Sequence, residues 1–180
     1  MESKLQTIYK NEIVPALKEE FGFKNVMQVP KLDKITLNVG YGRHHKDKSY
    51  IENVENTLRN ITGQQPVHNL AKKSISNFKI REGLDIGMSV TLRGKSMYEF
   101  LYRLINIALP RVRDFRGLNP KSFDKQGNYS FGLKENITFP EIKAEAIDKI
   151  HGLQVVISTT ATTREEGMSL LKKIGLPIKK

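Results

Sequence analysis

Two short runs along this chain alternate apolar and polar residues strictly enough to fix their local shape. In the first, Ile35, Leu37 and Val39 fall on one side and Thr36 and Asn38 on the other. In the second, Ile86, Met88, Val90 and Leu92 oppose Ser89, Thr91 and Arg93. Successive side chains of a β-strand point to opposite faces, so each run predicts a strand with one buried and one open face. The buried face needs a second layer to cover it. Stripes at helical spacing supply that layer. Leu5, Ile8 and Tyr9 predict a buried helical stripe starting near Ser3, which Pro15 must break, kink or restart because proline lacks the helical N–H donor. Ile51, Val54, Leu58 and Ile61 predict a helix that stops at Gly63. Ser96 and Glu99 form a candidate capping box ahead of Leu101, Leu104, Ile105 and Ala108. Pro110 then ends that helix by pushing its predecessor out of the α region. Another helix opens at Thr163 with Glu166 three residues on, buries Met168, Leu171 and Ile174, and closes at Gly175. Further strands are expected over residues 65–69, 129–133 and 154–161. The fold class is α+β, a mainly antiparallel sheet with helices packed on one face.

The 180 residues suffice for one well-buried core, and no repeat, low-complexity tract or Gly/Ser linker divides them. A single domain over residues 1–180 is expected, with long basic loops near 69–85 and 110–128. Thirty Lys and Arg against 19 Asp and Glu leave a net charge of +11, which favours a polyanionic partner and most simply nucleic acid. No apolar run approaches the roughly 20 residues that span a bilayer, and MESKLQTIYK lacks the apolar core of a signal peptide. With no cysteine there is no thiolate nucleophile, disulfide or cysteine-ligated zinc. A cytoplasmic protein without a membrane partner is the expectation.

Three places carry polar chemistry that the core does not need. The open sheet face bears Asn38 and Thr91 with Arg93 beside it, groups able to hydrogen-bond ribose, phosphate and base edges. From pattern alone, an ordinary solvated face of an antiparallel sheet is the simpler reading. Residues 69–83 hold Lys72, Lys73, Lys79 and Arg81 against Glu82, with Ser74, Ser76 and Asn77 between them. A mobile, basic, hydroxyl-rich loop of this kind can follow a folded RNA with little base specificity, and charge alone fits a solvated hairpin equally. Residues 111–125 carry Arg111, Arg113, Arg116, Lys121 and Lys125 against Asp114 and Asp124. Guanidiniums suit phosphate oxygens, which their planar fork grips bidentately, though Asp114 can hold some of them internally. Irregular connections of this length are uncommon unless functional or disordered. Phe115 and Phe123 are candidate anchors that would order this one.

No catalytic constellation emerges. His44 and His45 are adjacent and would diverge on a regular element, and no carboxylate at ligand spacing joins His68 or His151. Gly40-Tyr41-Gly42 lacks the third glycine and helix start of a dinucleotide fingerprint, and reads instead as a turn or a close backbone approach to RNA. No metal and no cofactor are expected.

Taken in order, ITLNVGYG (35–42), TGQQP (62–66), AKKSISNFKIREG (71–83), VTLRGKSMYEFLYRLINIALPRVRDFRGLNPKSFDKQGNYSFG (90–132) and TFPEI (138–142) resemble the L-five family of large-subunit ribosomal proteins, which bind 5S rRNA. The resemblance covers nearly the whole chain. It implies a likeness to RNA-recognition-motif topology, although the polar face lacks the stacking aromatics of a typical motif of that kind. It also implies a non-enzymatic protein that attaches 5S rRNA in the central protuberance of the large subunit. Contacts to rRNA carry over to Asn38, Gln64 and Thr91, with Arg93, Arg111 and Arg113 on the RNA side. Contacts to P-site tRNA carry over to Lys72, Lys73, Ser74, Asn77, Lys79 and Arg81. The implied partners are 5S rRNA, large-subunit rRNA, P-site tRNA, other central-protuberance proteins and a protein of the small-subunit head, protein thirteen. After TFPEI the chain departs from the family pattern, reading KAEAID with Ala144 where a tyrosine is common. Two other classes remain open on the residues alone. One is a basic RNA-processing enzyme, disfavoured by the missing acid–base pair, and the other is a basic protein-interaction module.

Overall fold

A computed structural model describes residues 3–142 and 150–179; the departure around Ala144 lies outside the described residues. The strands are β1 Leu32–Gly40, β2 Val67–Leu70, β3 Asp85–Leu92, β4 Tyr129–Leu133 and β5 Leu153–Thr159. They form one antiparallel sheet in the order β2-β3-β1-β5-β4, so the fold is α+β as expected. The two alternating runs behave as their patterns require. Ile35, Leu37, Val39, Met88, Val90 and Leu92 are buried, and Ile86 is half-buried. The chain forms two compact units.

One unit draws on residues 1–35, 92–131 and 156–180. Its helices are α1 Lys4–Ile8, α2 Val14–Phe21, α4 Gly94–Arg103 and α5 Arg164–Ile174, with α1 packed on α4 and α2 on α5. Helix α5 opens on the expected capping box, in which Thr163 accepts from the Glu166 N–H while Glu166 reaches back to the Thr163 N–H. The Lys173 ammonium, 3.0 Å away, and the Ser169 hydroxyl at 2.8 Å bind the Glu20 carboxylate and hold it below the usual carboxylate range. Helix α4 differs from expectation. It starts at Gly94, with Arg93 at the cap, so Ser96 and Glu99 lie inside it and make no capping box. Glu99 pairs instead with Lys95 one turn earlier.

Neither proline acts as a simple stop. Val14 and Leu109, which precede Pro15 and Pro110, keep α-helical backbone angles. Each is reached through a π-helical turn, Tyr9–Ile13 and Leu104–Ala108, in which the Val14 N–H donates to the Tyr9 carbonyl and the Leu109 N–H to the Leu104 carbonyl. Proline in an α-helix clashes with the carbonyl four residues back. A bond spanning five residues widens the turn and relieves that clash. Pro15 thus restarts the helix, and Pro110 sits within a closing 3₁₀ turn, Leu109–Arg111, that makes Arg111 its last helical residue. The wide turn also changes which positions face inward. Leu104, Ala108 and Leu109 are buried, whereas Ile105 is only half-buried. Ile8, Tyr9 and Met168 are likewise half-buried, and Leu170 takes the core position that the periodicity assigns to Met168.

The other unit draws on residues 36–91 and 132–155. Its helix, α3 Lys48–Thr62, is capped by Asp47, which accepts from the Tyr50 N–H at 3.1 Å, and ends at left-handed Gly63. Val54, Leu58 and Ile61 are buried as the stripe requires, whereas Ile51 is half-buried. Strand β2 pairs antiparallel with β3 in the register Val67↔Ser89 and Asn69↔Gly87, with an irregularity between Asn69 and Leu70.

Within the first unit, Gly167 of α5 lies against Gly127. A Cβ on Gly167 would stand 2.3 Å from the Gly127 carbonyl oxygen and 2.5 Å from its Cα, so backbone would have to move. Gly167→Ala should therefore destabilise the protein by about 1–3 kcal/mol despite the better helix propensity of alanine, as overpacked sites do. Denaturant unfolding measures this directly, and a stabilised variant would contradict the packing.

Candidate nucleic-acid interface

Alternation along β1 and β3 leaves Thr36, Asn38, Ser89 and Thr91 on the open side of the second unit's strands. Asn38 and Ser89 are half-buried, and Thr91 is exposed. The Ser89 hydroxyl donates to Asn69 Oδ1 at 3.3 Å, so β2 contributes an amide to the same face. Gly87 has no side chain because an added Cβ would come within 2.9 Å of the Val39 carbonyl oxygen. Gln64 follows the α3 cap and is exposed; its N–H donates to the Thr62 hydroxyl oxygen at 3.2 Å, which fixes the backbone but leaves the side-chain amide outward.

The basic segment beyond β2 is better ordered than its composition implies. At its base the Ala71 N–H donates to the Leu84 carbonyl at 2.8 Å and the Gly83 N–H to the Ala71 carbonyl at 2.9 Å. Ile75 and Ile80 exchange a pair of backbone bonds, and the Glu82 N–H donates to the Ser74 hydroxyl oxygen at 2.9 Å. A 3₁₀ turn, Ser76–Phe78, forms the tip and closes on Lys79 in the left-handed region at φ 54°. Around these bonds, Lys72, Lys73, Ser74, Asn77, Lys79 and Arg81 all remain exposed.

Beneath this loop lies a polar cluster that sequence reading missed. The Tyr41 hydroxyl donates to Asp85 Oδ1 at 2.6 Å and lies 3.2 Å from the Gly87 carbonyl and 3.4 Å from His68 Nδ1. His68 Nδ1 is in turn 2.5 Å from Asp85 Oδ2. Burial, followed by the bond to Asp85, pushes the Tyr41 phenol well above its usual range, so it remains a donor at neutral pH. The three residues sit 17 and 27 positions apart in sequence, and only the hairpin geometry joins them.

The arginine-rich segment belongs to the first unit. Arg93 is engaged, its Nη1 donating to Asp33 Oδ1 at 2.9 Å, while Arg111 and Arg113 are exposed. Among the described residues, no ion pair joins Asp114 to Arg111, Arg113 or Arg116. The segment is ordered from behind. Phe123 is buried against Tyr129 at 4.5 Å between ring centroids, and Phe115 is half-buried. The Leu118 N–H donates to the Pro177 carbonyl at 2.8 Å, and the Tyr129 hydroxyl to the Asn119 carbonyl at 2.9 Å. Asp124 closes the last turn, accepting from the Gln126 N–H and from the backbone and side chain of Asn128.

His44 stacks on Tyr50 at 4.6 Å, while His45 Nδ1 lies 2.9 Å from the Gly42 carbonyl, so the neighbouring imidazoles serve different partners. Among the described residues no three His, Asp or Glu side chains gather as metal ligands, and no helix is long and apolar enough to cross a membrane.

A family model described as ribosomal protein L5 matches residues 25–81, and one described as the ribosomal L5P family C-terminus matches residues 85–178. The large ribosomal subunit protein uL5 of Colwellia psychrerythraea is 54% identical over 178 residues, covering 99% of this chain and 98% of its own length. That of Halothermothrix orenii is 54% identical over 169 residues, or 94% of each chain. The uL5 of Caldanaerobacter subterraneus is 53% identical over 178 residues, 99% of each.

The chain belongs to the ribosomal protein L5 family. Membership makes it a ribosomal protein rather than an enzyme, in keeping with a surface of cations, amides and hydroxyls. For this L5-family chain the candidate residues divide by unit. Asn38, Gln64, Thr91 and the six loop residues lie in one, and Arg93, Arg111 and Arg113 in the other.

The Asp124 turn has a pH signature. Burial raises this carboxyl, but the three hydrogen bonds from Asn128 and Gln126 outweigh it and hold it below the usual range. A carboxylate depressed in the folded state stabilises above its unfolded pKa, about 3.9, and that contribution is lost as pH falls through the folded value. Asp124→Ala should therefore lower Tm at pH 7, with the gap to wild type narrowing below about pH 4. Thermal melts across that range test it, and a gap that widens in acid would refute the assignment.

Proposed function

We propose that this ribosomal protein attaches 5S rRNA in the central protuberance of the large subunit and steadies P-site tRNA. The observation that supports the reading is the loop between Ala71 and Leu84, whose internal hydrogen bonds hold four exposed cations with hydroxyls and an amide between them. Affinity would come mainly from neutralising phosphates and releasing their counterions, with shape fit from a preformed surface. Asn38, Gln64 and Thr91 supply neutral donors and acceptors for ribose and phosphate of 5S rRNA. Arg111 and Arg113 present open guanidiniums, and Arg93 is oriented by Asp33. Lys72, Lys73, Ser74, Asn77, Lys79 and Arg81 are assigned to the tRNA. Large-subunit rRNA, neighbouring central-protuberance proteins and protein thirteen of the small-subunit head complete the proposed partners, placing the protein on the cytoplasmic ribosome.

Binding of the full chain to 5S rRNA should weaken steeply with salt, with a log–log slope of about −0.7 to −0.9 per phosphate contacted. Asn38→Ala, Gln64→Ala and Thr91→Ala should each cost roughly 1–3 kcal/mol of that binding where a buried partner group is left unsatisfied. Their Tm should barely move, because the residues behind them stay buried. A flat salt response, or wild-type affinity in all three variants, would sink the 5S assignment.

The two RNA surfaces separate in a further experiment. Replacing residues 72–82 with a short turn between Ala71 and Gly83 keeps both ends of the hairpin and costs little entropy. The variant should bind 5S rRNA normally and enter reconstituted large subunits that release P-site tRNA faster than wild type. That deficit should shrink at high salt, where the missing contacts are screened. Lost 5S binding in a folded variant would move the loop to the other RNA.

A further inference from the structure

We propose that the concavity between the turn after β1 and the tip of the basic loop takes one unstacked nucleotide of the bound RNA, gripping its base by aromatic stacking. The inference rests on the RNA-binding reading above and adds a recognition mode that charge and shape do not supply. The concavity, about 480 Å³, is lined by Gly42, Arg43, His44, Tyr50, Phe78 and Ile80 among others, and its size falls within the range of small-molecule sites. Phe78 is 69% exposed, an apolar ring held in water at the loop tip. The turn that presents it is closed, with the Lys79 N–H donating to the Ser76 carbonyl at 2.9 Å and Ile80 paired to Ile75. Other flat surfaces line the same hollow. The His44 ring stacks on Tyr50 with an interplanar angle of 28°, and the His151 ring meets Tyr50 edge-on at 6.2 Å, fixing the pair.

A second concavity, about 740 Å³, shares Ile80 with the first and brings Lys46, Lys79 and Arg81 together with Ser74 and Ser76, over an apolar wall that includes Leu84. Among the described residues no carboxylate lines either hollow. Flat rings in the first hollow, and cations with two serine hydroxyls in the second, match the two halves of a nucleotide, a base with π-faces and an anionic phosphodiester. An apolar peptide would leave the cations unused, and a simple anion would leave the rings unused. Extruded bases stacked on aromatic side chains are a common mode of single-stranded RNA recognition. Arg43, exposed at the rim, is placed to follow the adjoining phosphate.

The loop's assignment to P-site tRNA makes that RNA the expected source of the nucleotide, with 5S rRNA as the alternative outcome, and two arms tell them apart. One measures affinity of the full chain for isolated 5S rRNA, and the other measures tRNA retention on large subunits reconstituted with each variant. Phe78→Ala should weaken one of the two by roughly 5- to 100-fold without altering its salt slope, since stacking releases no counterion. Phe78→Tyr should restore binding, and Arg43→Ala should instead reduce the slope by about 0.7–0.9. Ultraviolet cross-linking of the wild-type complex should attach a nucleotide to Phe78 or Tyr50. If wild type binds both RNAs with steep salt dependence while Phe78→Ala and Arg43→Ala match it, the pocket is wrong and the RNA reading stands. If Phe78→Tyr is as weak as Phe78→Ala, an aromatic face is not what the RNA meets, and the proposal falls. Failure of wild type to bind either RNA would overturn both readings together.

Discussion

The pleat of β1 and β3 is the constraint on which the polar face depends. Ile35, Leu37, Val39, Met88, Val90 and Leu92 are buried, so a slip of one residue in either strand would turn that whole set into water. At roughly 25 cal/mol per Å² of apolar surface, such a slip is prohibitive. Asn38 and Thr91 therefore need no hydrogen bonds of their own to stay on the open side. The core behind them holds their position, and their polar atoms are left for other work.

The basic loop is held by different means. It contributes almost nothing to a core, and Ile75 and Phe78 are exposed. Its shape comes from backbone bonds between Ala71, Ile75, Ile80, Gly83 and Leu84, and from the irregular pairing where β2 meets β3. Tyr41, His68 and Asp85 pin that base, with a buried phenol just after β1 bonded to a carboxylate on β3 that also holds an imidazole of β2. The cationic display is anchored to the sheet through these three side chains. The exposed charge of the loop and the polar groups that hold its base are thus carried by separate residues.

Legibility in the sequence followed the range of the interactions. Helix α3, its Gly63 terminus and the Thr163–Glu166 cap of α5 depend on residues within one turn of each other, and each follows from spacing alone. The alternation of β1 and β3 is equally local. The Ser96–Glu99 pairing failed because Gly94, at φ 57°, lets the helix begin three residues earlier, which a composition pattern does not reveal. Tyr41, His68 and Asp85 were invisible because their meeting depends on strand order. Of the rRNA candidates, Asn38 and Thr91 were legible as open-face positions. For Gln64 and the loop contacts the family pattern supplied the assignment, since exposed amides and lysines carry no periodic signal.

The π-helical turns before Pro15 and Pro110 bear on what these helices tolerate in length. An α-helix advances about 100° per residue, so one extra residue rotates everything beyond it by more than a quarter turn. Each wide turn absorbs such a residue locally, setting the rotational phase of the following segment against the preceding one. In the second case this phase aims Leu109 inward and leaves Arg111 outward. The direction in which that guanidinium leaves the protein is therefore set seven residues upstream, at Leu104, by a single turn's worth of helical gearing.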